Sequence, residues 1–174
     1  MNTERQLAVC REHQAMLRFP AFGAAQAWAL GQSLYHNAAG RDFALAIEIR
    51  VNHLCLFSAL MPGACAENQD WVRRKRNLVD FLGISSWAAG LMLQERQTTL
   101  AERYGLDSRD YAAFGGGYPL YLTDGTMAGS VTVSGAPQRD DHCLVIATLG
   151  EMLGDRDTRI AFAAGAASSG GAAL

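Results

Sequence analysis

Met127-Ala128-Gly129-Ser130-Val131-Thr132-Val133-Ser134-Gly135-Ala136-Pro137-Gln138-Arg139-Asp140-Asp141-His142 is the stretch that decides the fold. A β-branched strand carrying small side chains runs into a Gly-Ala-Pro turn, and a polar, charged segment then opens an apolar helix. Small residues on a strand let another group approach the backbone closely. The turn brings Arg139, Asp141 and His142 to the edge of that strand. Gly129 and Ser130 keep part of the strand surface bare, so these residues form one candidate binding region.

Upstream, Asp124-Gly125 is a favoured hairpin signal. It joins a strand over Tyr118–Thr123 to the strand over Met127–Ser134. A second pair comes earlier: Phe43, Leu45, Ile47, Ile49 and Val51 alternate with Ala44, Ala46, Glu48 and Arg50, the pattern of a half-buried strand. Asn52-His53 turns the chain into Leu54–Leu60, which Met61-Pro62-Gly63 ends. Strands joined this tightly are antiparallel. Tyr111–Phe114 is the candidate for a short fifth strand.

The remaining periodicity is helical. Thr3–Leu17 reads as a helix with Thr3 as its N-cap, barred from continuing by Pro20. Ala24–Ala39 follows, closed by Gly40. A helical region over Asn68–Gln97 breaks at Gly83, a short helix covers Leu100–Tyr104, and the last helix spans Gln138–Leu153. Strand pairs with helices grouped between them predict an α+β fold, its antiparallel sheet of about five strands covered by helices on both faces, or by helices on one face and a partner subunit on the other. At 174 residues the natural count is one domain. It ends near Gly154, since residues 155–174 turn rich in Ala, Gly and Ser.

Composition narrows the function classes. With 49% hydrophobic and 18% charged residues the profile is globular, and a net charge of −2 argues against general affinity for nucleic acid or anionic lipid. The cluster Arg73-Arg74-Lys75-Arg76 is therefore not read as a nucleic-acid patch. Cys10, Cys55, Cys65 and Cys143 form no C-x-x-C pair and have no His at zinc-ligand spacing, so no metal site is expected and the cysteines read as reduced thiols, with bridging between subunits or reactive sensing as the alternatives. The N-terminus shows no secretory h-region. Phe19–Gly40 lacks charge but carries Gln26, Gln32, Ser33, His36 and Asn37, the pattern of a buried amphipathic helix and not of a membrane span. The expected setting is cytoplasmic.

On the helix after Asn68, Val72, Lys75, Val79 and Leu82 share one face, while Arg73, Arg74 and Arg76 point elsewhere. Lys75 thus sits in an apolar stripe, where an ammonium is costly unless paired. Two readings stand: a stem snorkelling at the stripe's edge, or an amine aimed at an anionic ligand or a buried carboxylate. Gly115-Gly116-Gly117 precedes a strand and no helix, so it is not a dinucleotide fingerprint. It reads as a strained turn or as a loop whose amides meet a carboxylate or phosphate. Ser85 or Ser86 caps a helix. Asp140 and Asp141 suit a first helical turn. His142 is either a hydrogen-bonded residue at a helix start or a heme, metal or acid–base group.

Asp70-Trp71-Val72-Arg73-Arg74-Lys75, Ser85-Ser86, Asp110–Gly116 and Gly129–His142 together resemble a family of short uncharacterised proteins in the GlcG-like heme-degrading-domain superfamily, over roughly Glu4–Leu153. The resemblance implies a profilin-like fold in a single domain over residues 1–154, and homo-oligomers from dimers to larger rings. Some relatives bind or degrade heme. Lys75 and the strand Gly129–Gly135 match the superfamily's helix lysine and Gly-rich strand. Relatives often carry His where this chain has Phe114, and a basic residue or His near Gly83-Ile84, and this chain departs from them at both places.

Three functions follow as expectations. In the first, an oligomeric heme-binding or heme-degrading-domain protein, Arg73, Lys75 and Arg139 meet propionates and His142 is the ligand candidate. In the second, the chain is a non-catalytic oligomeric adaptor or chaperone-associated module. The third is an enzyme acting on a small carboxylate metabolite, with Lys75 and Asp141 around Gly116. One proposition underlies the site: the amine of the long helix and the charged start of the last helix converge over a surface kept bare by glycine and serine.

Overall fold

The computed structural model describes residues 2–154; the Ala/Gly/Ser-rich segment 155–174 lies outside them. The elements in chain order are α1 (Thr3–Met16), β1 (Arg18–Phe19), α2 (Ala24–Ala39), β2 (Ala46–Val51), β3 (Leu54–Leu60), α3 (Ala66–Leu82), α4 (Ser86–Glu95), α5 (Leu100–Tyr104), β4 (Gly117–Leu122), β5 (Met127–Ser134) and α6 (Gln138–Leu153). The cap of α1 is Asn2 and not Thr3: its side chain accepts from the Arg5 amide at 3.0 Å, so Thr3 is the first helical residue. Gly83 closes α3 in the left-handed region, as the sequence reading expected, and the Ser85 hydroxyl caps α4 by accepting from the Ala88 amide.

The five strands form one sheet in the order β1-β4-β5-β2-β3. Both hairpins run antiparallel as expected, and Asn52 and His53 take the two positive-φ positions of a tight two-residue turn. Two expectations are corrected. Tyr111–Phe114 is a loop, and the fifth strand is the two-residue β1. That strand pairs parallel with β4, so the sheet is mixed and not wholly antiparallel. Pro20, read only as a helix stop, lets the chain leave α1 extended, and the Thr123 amide then donates to the Phe19 carbonyl at 2.9 Å.

Helices cover both faces. On one, α2 and α6 pack over β2 and β5, burying Leu30, Leu34, Ile47, Ile49, Val131, Val133, Leu144 and Leu149. On the other lies α3, with α4 beside it and α1 packed on α4. The pleat of β5 explains why these faces differ. Val131 and Val133 point to the apolar side, so Ser130, Thr132 and Ser134 point to α3. The underside of α3 answers with polar groups: Asp80 accepts from Ser130 Oγ at 2.8 Å, and Arg76 reaches Glu48 of β2 at 2.6 Å. Lys75 completes this row above Ser134.

Candidate functional site

Lys75 is 3% exposed and Asp141 1%, and their Nζ and Oδ2 atoms are 2.9 Å apart. Of the two readings of Lys75, the amine aimed at a buried carboxylate is the one realised. Its Nζ also donates to the Val133 carbonyl at 3.2 Å and the Ser134 hydroxyl at 3.3 Å, so three acceptors answer its three N–H bonds. Asp141 uses its other oxygen to accept from the Ala136 amide at 3.1 Å. The pair therefore clamps the turn between β5 and α6 onto α3. Burial pulls the Lys75 ammonium below the ordinary lysine range and pushes the Asp141 carboxyl above the ordinary carboxylate range; each is opposed by the other's charge.

Gly116 permits this arrangement. Its φ is +122°, and a Cβ there would overlap the Val133 carbonyl and stand 3.0 Å from Lys75 Nζ. The loop before it is tied down twice. The Gly117 amide donates to Ser86 Oγ at 2.9 Å, and the Gly115 amide to Gln138 Oε1 at 3.3 Å.

Above the clamp opens a cleft of about 470 Å³. Lys75, Asp141, Ser134, Gly135 and Ala136 form its floor, Trp71 and Phe114 its aromatic wall, and Glu67, Asn68 and Gln138 the rest of the lining. Trp71 and Phe114 meet edge to face with ring centroids 5.3 Å apart, and Phe114 is 46% exposed despite its size. The Arg74 guanidinium lies over the Trp71 ring at 3.8 Å and pairs with Asp70 at 2.8 Å. That volume suits a small ligand. None of the lining residues is His, Cys, Met or Tyr.

Of the residues singled out from sequence, Lys75, Gly116 and Asp141 come together here, and the others stand apart. Arg73 turns outward to Asp70, Asp110 and the Arg109 carbonyl. Ser130 lies four residues before Ser134, about 13 Å along the strand, bonded to Asp80. Gly129 serves strand packing, because a Cβ there would overlap the Arg50 carbonyl of β2. Arg139 turns to Cys143, one helical turn on. His142 is 1% exposed and stacks on Trp87 at 5.9 Å, its plane 21° from the indole. Neighbours on a helix point about 100° apart, so His142 faces the core where Asp141 faces the floor. Burial, with His13 as a second cause, lowers its pKa from 6.5 to about 3. The sequence reading did not select Trp71 as a site residue, although Trp71 and Lys75 stand at i, i+4 and so share a helix face.

No described helix is long and apolar enough to cross a membrane. Among the described residues no group of three or more His, Cys, Asp or Glu side chains is arranged to hold a metal ion.

Comparison with known proteins adds identity to this geometry. Residues 22–150 match the family described as "Haem degrading protein HbpS-like". A UPF0303 protein of Yersinia enterocolitica serotype O:8 is 54% identical over 154 residues, which is 88% of this chain and 92% of the relative. The crystal structure of the Ybr137w protein superposes with a TM-score of 0.80 at 24% identity, covering 85% of this chain and 87% of that one. A PduOC:heme complex superposes with a TM-score of 0.62 at 19% identity over 76% of this chain and 94% of that one. These two structures share the fold. The chain belongs to the HbpS-like family of heme-degrading proteins.

Proposed function

We propose that this protein is a ligand-binding module whose cleft over the Lys75–Asp141 clamp takes a flat, conjugated molecule against Trp71 and Phe114, heme being the first to test. The carrying observation is the half-exposed aromatic wall beside a rigid polar floor, in a chain of a family described by heme. Lys75 and Asp141 act as the floor, and Gly116 leaves room beside Lys75 for the clamp to form. Arg73, Gly129, Ser130, Arg139 and His142 support the surrounding fold from outside the cleft. The lining does not fit heme as an axial ligand set, because it offers no imidazole, thiolate, thioether or phenol and the Lys75 amine is held by three protein acceptors. Titration with hemin, followed at the Soret band, is expected to saturate at one ring per chain. Trp71→Ala is expected to weaken binding about tenfold, the scale of one lost aromatic contact. An unsaturable titration, or one indifferent to Trp71, would refute the reading.

Self-association is part of the same proposal. β3 is a sheet edge of seven residues with no charge and no proline, which leaves the edge unguarded. Leu54 is 66% and Leu60 45% exposed, and on the neighbouring α2 Trp28 is 59% and Tyr35 38% exposed. A second copy is the occupant this uncharged edge suits. Native mass spectrometry is expected to show a discrete homo-oligomer that Leu54→Lys and Leu60→Lys together dissociate. A wild-type monomer at tens of micromolar would overturn this part alone. The cytoplasmic setting belongs to the proposal too, supported by Cys10, Cys55, Cys65 and Cys143 standing as free thiols.

A further inference from the structure

We infer that the cleft recognises the face of a flat ring of tetrapyrrole size and makes no bond to a metal at the ring's centre, so that the iron-free ring is as good a ligand as the iron-bearing one. The inference rests on the proposed binding role and specifies its ligand class. Its ground is the donor inventory around the cleft. Lys75 is turned down into the floor by Val133, Ser134 and Asp141. His13 and His142 are 3% and 1% exposed, and neither lines the cleft. The thiol of Cys65, at the cap of α3, is turned to Asn68 Oδ1 at 3.4 Å. What the cleft does present is aromatic surface: Phe114, and Trp71 set 78° to it with Arg74 over one face, so a flat ring that stacks on one meets the other edge-on.

Charge sets the pose. The floor is neutralised internally by the Lys75–Asp141 pair, and Glu67 adds a carboxylate to the lining. Among the described residues the cation beside the aromatic wall is Arg74, which already pairs with Asp70. Carboxylates on a bound ring would have to compete with Asp70 for it and would be desolvated beside Glu67. They therefore stay in solvent while the hydrocarbon body meets the aromatic wall. Binding of this kind depends on ring area and planarity, which iron-free and iron-bearing protoporphyrin share.

The experiment compares hemin with iron-free protoporphyrin IX on the full chain, by calorimetry and visible spectra. Expected are dissociation constants within about threefold of each other, no low-spin six-coordinate heme spectrum, and unchanged affinities in Cys65→Ser. Phe114→Ala is expected to weaken both rings alike, by about tenfold. Phe114 is exposed enough that this variant keeps the fold, and thermal melting checks that it does. Hemin binding at least about tenfold tighter than the iron-free ring, with a low-spin spectrum, would overturn the inference while leaving the binding role standing. Loss of that spectrum in Cys65→Ser would identify the thiol as the ligand missed. Failure of both rings to bind would overturn the binding role itself.

Discussion

Asp141→Leu should cost this protein about 3–5 kcal/mol of stability, and Lys75→Met a similar amount, whereas the double variant should recover most of the loss. Each single change leaves one ion buried without its counter-charge, Lys75 at 3% exposure or Asp141 at 1%. Burial already works against both charged forms, lowering the Lys75 pKa and raising that of Asp141. The pair is thus not a net source of stability over well-packed hydrocarbon. What it contributes is placement, since the same two side chains fix Val133, Ser134 and Ala136 and so the turn that floors the cleft. The double variant should stay about 1–3 kcal/mol short of wild type, because the Ala136 amide loses its acceptor. Urea midpoints of the four proteins measure this directly. Single-variant losses that simply add in the double variant would show that the two groups are not coupled.

That clamp was partly legible in the sequence. A lysine inside the Val72–Val79 stripe has to find a carboxylate or leave the core, and the acidic start of α6 supplies one. The hairpins were legible because Asn52-His53 and Asp124-Gly125 are turn chemistry, and turn chemistry is local. β1 was not, since two residues show no alternation and its pairing with Tyr121 and Leu122 is set more than a hundred residues later in the chain. The misplacements at the site have the same origin. Ser130 and Ser134 lie on one face of β5, and only the docking of α3 decides that Asp80 takes the first and Lys75 the second. Asp141 and His142 are adjacent in sequence but separated by the rotation of a helix, so a motif containing both cannot deliver both to one cleft. The aromatic wall escaped because Trp71 and Phe114 are 43 positions apart and meet only in the folded chain.

His142 makes the second large prediction, in acid. Its folded pKa of about 3 lies well below the value of 6.5 for an exposed imidazole, with burial the first cause and His13 of α1 the second. Between those values the unfolded chain binds a proton that the folded chain refuses. The stabilisation is therefore complete above about pH 6.5 and drains away as pH falls towards 3, at up to about 1.4 kcal/mol per unit. By pH 5 the loss from this one residue reaches about 2 kcal/mol. Carboxylates held low by hydrogen bonds, Asp70, Glu102, Asp107 and Asp124, add their own acid sensitivity from about pH 5 downward. Asp141, whose carboxyl burial pushes upward, acts with the opposite sign but is common to both proteins, so between pH 6.5 and about 5 the difference between wild type and a variant lacking the imidazole isolates the histidine. His142→Phe preserves a ring against Trp87, where the imidazole stacks at 5.9 Å, and removes the titrating group. Urea midpoints taken every half unit from pH 7.5 to about 5 should fall more steeply for the wild-type chain than for the variant. Parallel curves for the two proteins would mean that His142 accepts its proton without unfolding the core around it. It would then have to lie closer to water, or to a carboxylate, than its place behind Trp87 allows.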